Sequence, residues 1–208
     1  MIPITRADGK AEQKLLRQLK ARSGEVDRKV TAAVTAILDN VRQNGDRAVE
    51  NYTLQFDGHL PEHTLIERPE MEAALDQCDS KFVYALYQAA ANIRDFHERQ
   101  KRQSFLNTLD NGVILGQRVR GLKRVGLYVP GGTAAPSSGL MNAIPAKIAG
   151  VEELIMVTPP AKDGSANPDI LAAAAVAGVD RIYLIGGAQA VAALAYGTET
   201  VPRVDKIV

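Results

Sequence analysis

Two polar side chains in this sequence stand where glycine pairs clear room for a ligand. Tyr128 lies near the end of the apolar run Val125-Gly-Leu-Tyr-Val129, which breaks into Pro130-Gly131-Gly132. Gln189 follows Ile185-Gly186-Gly187-Ala188 and opens an alanine-rich stretch. An apolar run that ends abruptly in Pro and Gly reads as a buried strand delivering its carboxyl end into a loop with little side-chain bulk. Glycines there let a ligand approach the backbone, and exposed amides favour an anion. In open α/β sheets ligands bind in the crevice at such strand ends. Tyr128 offers a ring face and a hydroxyl. Gln189 offers an amide that can donate to a phosphate or a ribose. The chemistry implied is recognition of a small molecule.

Other reactive residue types are less suggestive. His59 and His63 have the i, i+4 spacing of helical zinc ligands, but Pro61 between them argues against a helix. They read as solvated loop histidines. His97 sits beside Phe96 among charged residues, as a surface or helix-terminal histidine. Cys78 precedes a helix cap and has no histidine placed to activate it, so it reads as a small packed residue. Ser137 and Ser138 head a helix beside the first glycine loop. Capping is the favoured reading, with ligand contact at that helix end the alternative.

The elements that must position these residues follow from periodicity. Val26, Val30, Val34, Ile37, Leu38 and Val41 mark one helix face, Gly45 stops that helix, and Asp46 can cap the next. Pro69 suits the first turn of a short helix ending near Gln77. Asp79 caps a long helix with Phe82, Leu86, Ala89, Ile93 and Phe96 on one side. Asp110-Asn111-Gly112 between apolar alternations predicts a hairpin with positive φ at the turn residues. From Val125 on, strands at 125–129, 153–157, 181–185 and 204–208 alternate with helices at about 138–149, 168–177 and 188–196. A weak repeat, Ala149-Gly150-Val151-Glu152 and Ala177-Gly178-Val179-Asp180, marks each return to a strand. Continuous apolar strands joined by helices predict a parallel sheet. Pro145 should kink or shift its helix.

The fold class expected is therefore α/β. Residues 1–103 form a helical segment and 104–120 a β-hairpin. Residues 121–208 form a Rossmann-like domain; its nucleotide-binding role and its truncation at the C-terminus, which leaves it incomplete, are implied by a family resemblance and not by these patterns. The Gly-x-Gly-x-x-Gly dinucleotide fingerprint is missing, so these patterns do not name the ligand.

Composition narrows the class. The 208 residues include 25 Lys and Arg against 24 Asp and Glu, a net charge of +1, with no basic stripe to suggest nucleic acid or a membrane surface. Lys101 and Arg102 read as favourable charge at a helix C-terminus. A single cysteine excludes an internal disulfide and fits a reducing, cytoplasmic setting. The first residues do not form a signal peptide, and no apolar run approaches membrane-spanning length.

Three segments together resemble histidinol dehydrogenase: Tyr128-Val-Pro-Gly-Gly-Thr-Ala-Ala135, Leu140-Met-Asn-Ala-Ile-Pro-Ala-Lys-Ile-Ala-Gly-Val151, and Leu184-Ile-Gly-Gly-Ala-Gln-Ala-Val-Ala-Ala-Leu-Ala-Tyr-Gly-Thr198 with the tail Val201-Pro-Arg-Val-Asp-Lys-Ile-Val208. The resemblance runs from about Val26 to the last residue and is to the N-terminal half of the family sequence. It implies a cytoplasmic, homodimeric oxidoreductase of histidine biosynthesis that converts L-histidinol to L-histidine in two NAD-dependent steps. Tyr128 and Gln189 match the family's NAD-contacting positions. A third, an asparagine in a Gly-Pro-Gly-Asn loop, would fall beyond Val208. The family's zinc ligands and its catalytic Glu-His pair also belong to the other half, so no catalytic or metal-binding residue is assigned in this chain. This chain alone is expected to be inactive, to bind NAD weakly and to self-associate. One departure stands out: the family usually has a bulky residue between Ala135 and Pro136 and a Val-like residue where Gly139 stands. Two alternatives remain open: an NAD-dependent dehydrogenase of another polar alcohol, such as a sulfonated propanediol, and a non-catalytic truncated fragment.

Overall fold

The computed structural model describes residues 4, 7–24, 28–131 and 136–208. Val26 and residues 132–135 of the first glycine loop lie outside them. Helices α1 (Ala11–Gly24), α2 (Arg28–Asp57), α3 (Arg68–Gln77) and α4 (Ser80–Glu98) precede a hairpin of β2 (Phe105–Thr108) and β3 (Ile114–Gln117). Then come β4 (Arg124–Tyr128), α5 (Pro136–Ile148), β5 (Glu153–Thr158), α6 (Pro168–Ala177), β6 (Arg181–Leu184), α7 (Gly187–Tyr196) and β7 (Lys206–Ile207). The stretch read as helical also contributes a strand, β1 (Leu65–Glu67). The main sheet has the order β1-β6-β5-β4-β7, with β1 antiparallel to β6 and the other pairings parallel.

Side chains alternate across this sheet with the period of two that strands impose. Val125, Leu127, Leu154, Met156, Ile182 and Leu184 join a core built with α3 to α6. Ile155, Val157, Tyr183 and Ile185 face a second core with α2 and α7. Both faces are covered, which is why the strands are apolar throughout. Arg124 ties the centre together. Its Nε donates to Glu153 Oε2 at 2.6 Å, its Nη1 to the Arg203 carbonyl at 3.0 Å, and its backbone N–H to Asp205 Oδ2 at 3.0 Å. These bonds join β4 to β5 and to the turn entering β7.

The helix ends follow their sequence signals in part. The Asp79 carboxylate accepts from the Lys81 and Phe82 amides and caps α4. Pro69 stands in the first turn of α3, where Glu67 and Glu70 form a reciprocal capping box. Other expectations need correction. Gly45 does break α2, at φ 52° and ψ −134°. The Asp46 side chain, however, accepts from Thr200 Oγ1 at 3.0 Å, and the Asp46 amide is capped from afar by Glu199 Oε2 at 2.9 Å. Val30 and Phe96 extend their apolar stripes beyond the sheet and are exposed at 55% and 62%. Helix α5 runs through Pro145 to Ile148. In the hairpin only Gly112 has positive φ. Its N–H donates to the Leu109 carbonyl at 2.9 Å, and the Leu109 N–H to the Val113 carbonyl at 2.8 Å. That is a three-residue loop with glycine in the left-handed position, in place of a two-residue Asn-Gly turn.

Asp57 supplies a pH-dependent test of the α2 C-terminus. Its Oδ2 is buried without a hydrogen-bond partner among the described residues, and burial pushes its carboxyl above the ordinary value of 3.8. Above 3.8 the native state holds this proton more tightly than the unfolded chain does. Its contribution to stability therefore falls as pH rises from 3.8 through the folded-state value. The negative charge also opposes the helix dipole at this end. Asp57→Asn is expected to stabilise the chain at pH 7 by about 0.3–1 kcal/mol, with the advantage fading near pH 3. Denaturation midpoints measured for both proteins at the two pH values would check this.

Candidate functional site

Three strand ends meet at the carboxyl side of the sheet. β4 passes through Val129 into Pro130 and Gly131, β5 ends at Thr158 before Pro159, and β6 leads through Ile185 into Gly186 and Gly187. Because β5 lies between β4 and β6, Pro159 stands between the two glycine turns. A Cβ on Gly186 would lie 2.5 Å from Pro159 Cγ, and one on Gly131 would lie 3.1 Å from the same ring. Both turns thus close around one proline, and any side chain at Gly186 would force them apart.

Tyr128 and Gln189 are brought together by Gly187. Tyr128 is half-buried at the end of β4, and its hydroxyl oxygen accepts from the Gly187 N–H at 3.2 Å. That amide is the first of α7. The tyrosine therefore satisfies a donor that the helix itself leaves open. Gly187 adopts φ 62°, and a Cβ there would lie 2.6 Å from Gln189 Oε1. Gln189 is 1% exposed, and among the described residues neither its Oε1 nor its Nε2 has a hydrogen-bond partner. A buried primary amide without partners is costly, at roughly 1–3 kcal/mol per unmet group. Such a group calls for an explanation, and a ligand is one. The sequence places Gln189 at the mouth of α7. The structure puts it one layer back, behind Gly187.

Two nearby features escaped the sequence reading. Pro159 comes from the middle strand and carries no glycine signal of its own. Thr158 is 1% exposed, its Oγ1 has no hydrogen-bond partner among the described residues, and it ends an apolar strand in which a threonine passes as an ordinary β-branched residue. Ser137 and Ser138 do not cap α5. Pro136 opens that helix, so both lie in its first turn. His59 and His63 are exposed in the loop before β1. His97 closes α4, with Nδ1 2.7 Å from Gln100 Oε1. Cys78 packs against the α3–α6 core, and burial pushes its thiol upward, as for a packed rather than a reactive residue.

A family model described as histidinol dehydrogenase matches residues 20–208. A curated histidinol dehydrogenase of Clostridium acetobutylicum is 50% identical over 197 residues, covering 94% of this chain and 46% of that protein. One from Bordetella parapertussis is 55% identical over 197 residues, covering 93% of this chain and 44% of its own length. The chain belongs to the histidinol dehydrogenase family. A crystal structure of histidinol dehydrogenase from Elizabethkingia anophelis superposes with a TM-score of 0.81 at 33% identity, over 88% of this chain and 42% of that one. The chain thus spans about half the length of the relatives it matches.

The departure from the histidinol dehydrogenase pattern between Ala135 and Pro136 touches a segment outside the described residues, but Gly139 can be judged. It is buried in α5, and a Cβ there would meet Met156 Cε at 3.5 Å, an ordinary contact. Glycine inside a helix costs about 0.5–1 kcal/mol relative to alanine. Gly139→Ala is accordingly expected to raise stability by about that amount, as a higher urea midpoint would show. Among the described residues no three His, Cys, Asp or Glu side chains converge to hold a metal ion, so these residues do not fit the family's zinc.

Proposed function

We propose that this chain supplies the nucleotide side of an NAD-dependent histidinol dehydrogenase, a cytoplasmic homodimeric oxidoreductase of histidine biosynthesis. The substrate is L-histidinol, oxidised to L-histidine in two hydride transfers. Residues 121–208 are the nucleotide-binding unit, residues 1–103 a helical segment and 104–120 a hairpin. Family membership supports the reaction class. The observation that carries the local assignment is the cluster of the Tyr128 hydroxyl, the Gly187 amide and the unpartnered Gln189 amide at the carboxyl end of a parallel sheet, where nucleotides bind. These residues fit a dinucleotide: a buried amide awaits a partner, and two glycine turns leave backbone within reach.

NAD, when bound, supplies the hydride acceptor. The chain's own part is to hold it. The Tyr128 ring and hydroxyl would meet one portion of the cofactor. The Gln189 amide would donate to an oxygen of its phosphates or ribose once the Gly186-Gly187 turn admits it. On this reading the 208 residues alone bind nucleotide without oxidising histidinol, because they amount to about half of the related enzymes.

Calorimetric titration of NAD+ into the wild type, Tyr128→Ala and Gln189→Ala tests the assignment. Each change removes a hydrogen bond worth about 0.5–1.5 kcal/mol, so each is expected to weaken binding severalfold. Wild-type binding that neither change alters would place the nucleotide elsewhere.

A further inference from the structure

The Gln189 amide is buried, with no hydrogen-bond partner for either end among the described residues, yet what separates it from solvent is thin. Gly187 is exposed, and a Cβ on it would stand 2.6 Å from Gln189 Oε1. One glycine backbone therefore lies between the amide and water. It fits there because it has no side chain, and its φ of 62° is one that glycine adopts without steric penalty.

This cover is lightly fastened. The Gly187 N–H donates to the Tyr128 hydroxyl at 3.2 Å, and the Ala190 N–H donates to the Gly186 carbonyl at 3.2 Å. Both bonds are at the long end of the N–H···O range. The closed turn is also opposed by the group it covers. Closed, the Gln189 amide has given up water without gaining a partner, which costs free energy. Open, water or a ligand satisfies it. The unmet amide thus narrows the gap between the two arrangements. Segments with few bonds and exposed backbone open locally, well before the fold as a whole does.

We infer that the Gly186-Gly187 turn is a strap. The Tyr128 hydroxyl holds it shut over Gln189, and it swings open on its two glycines, with no ligand needed, to present the amide. That the incoming molecule is a nucleotide rests on the nucleotide reading of this site; the opening does not. With a nucleotide as ligand, only the open form binds, so the apparent affinity is lowered by the fraction of chains that are open. Tyr128 then acts twice, as a contact in the open form and as the fastening of the closed one.

Hydrogen exchange of the native, nucleotide-free chain tests the strap. Ala190 is fully buried, so its N–H meets water only when this turn opens. The reference is the Val204 N–H, which donates to the Leu194 carbonyl at 2.9 Å near the far end of α7. In the wild type Ala190 is expected to be about tenfold or more less protected than Val204, through an opening that about 1 M urea leaves unchanged, since it exposes little surface. Tyr128→Phe keeps the ring and removes the acceptor. It should lower Ala190 protection about three- to tenfold and leave Val204 within about twofold. Gln189→Met keeps the volume and removes both unmet groups. It should raise Ala190 protection about three- to tenfold and raise the melting temperature. A glutamine satisfied by enclosed water would lower the melting temperature on the same change. Equal protection of Ala190 and Val204 in the wild type, an Ala190 unmoved by either variant, or a lower melting temperature for Gln189→Met would overturn the strap. The two readings fail separately. If Ala190 responds as expected in a chain that does not bind NAD+, the strap stands and the nucleotide reading falls. If NAD+ binds and Tyr128→Phe leaves Ala190 unmoved, the nucleotide reading stands and the strap falls.

Discussion

Alanine at position 187 is expected to destabilise this fold by about 2–5 kcal/mol and to remove nucleotide binding with it. Two physical terms add. Gly187 holds φ 62°, a left-handed conformation that costs an L-residue about 1–2 kcal/mol. The new Cβ would also stand 2.6 Å from Gln189 Oε1, with Cδ at 3.2 Å and Nε2 at 3.3 Å. The whole amide is therefore in the way, and it is buried. Forcing a methyl into such a site typically costs about 1–3 kcal/mol. Against the roughly 5–15 kcal/mol that holds a domain together, this is a large fraction. The substitution also disturbs the amide that donates to Tyr128. Urea denaturation of Gly187→Ala, Gln189→Ala and the double variant separates the terms. The double variant should recover the packing part and retain only the backbone part, a coupling of the kind neighbouring residues show. A single Gly187→Ala variant as stable as wild type would mean that the turn does not have this conformation.

This turn also shows what the sequence disclosed and what it withheld. The strand-glycine-helix pattern at Leu184 to Tyr196 placed β6 and α7 within a residue or two, because apolar runs and glycine breaks are local signals. Tyr128 and Gln189, far apart in the chain, could be set near one another only through the rule that successive parallel strands end on the same side. Their actual link, one backbone N–H between them, is a tertiary detail with no local trace. The same limit hid β1. Leu65-Ile-Glu67 is too short to show a period, and it becomes a strand because the β6 edge is there to pair with it. Val30, Val34 and Phe96 illustrate the converse. Their spacing is that of a buried helical face, yet periodicity says nothing about where the sheet beneath the helix stops.

The Gly45 break offers the other large effect. Gly45→Ala is expected to cost about 2–4 kcal/mol. A backbone at φ 52° and ψ −134° lies in a region that is nearly glycine's alone, worth about 1–3 kcal/mol for any other residue. A Cβ at this position would also collide with the Glu199 carboxylate. That carboxylate caps the second half of α2 by accepting from the Asp46 amide at 2.9 Å, so displacing it removes a helix cap. Because Glu199 is the far end of an exposed side chain, it can swing away. The collision then becomes a lost cap and not a rigid clash. The expected signature follows from that difference. In a Glu199→Ala background the cap is already gone, so Gly45→Ala should cost only the backbone term. Thermal melts of the four proteins of this cycle measure it. Equal costs of Gly45→Ala in both backgrounds would show that Glu199 does not cap the break, and that the α2 kink is held by the glycine alone.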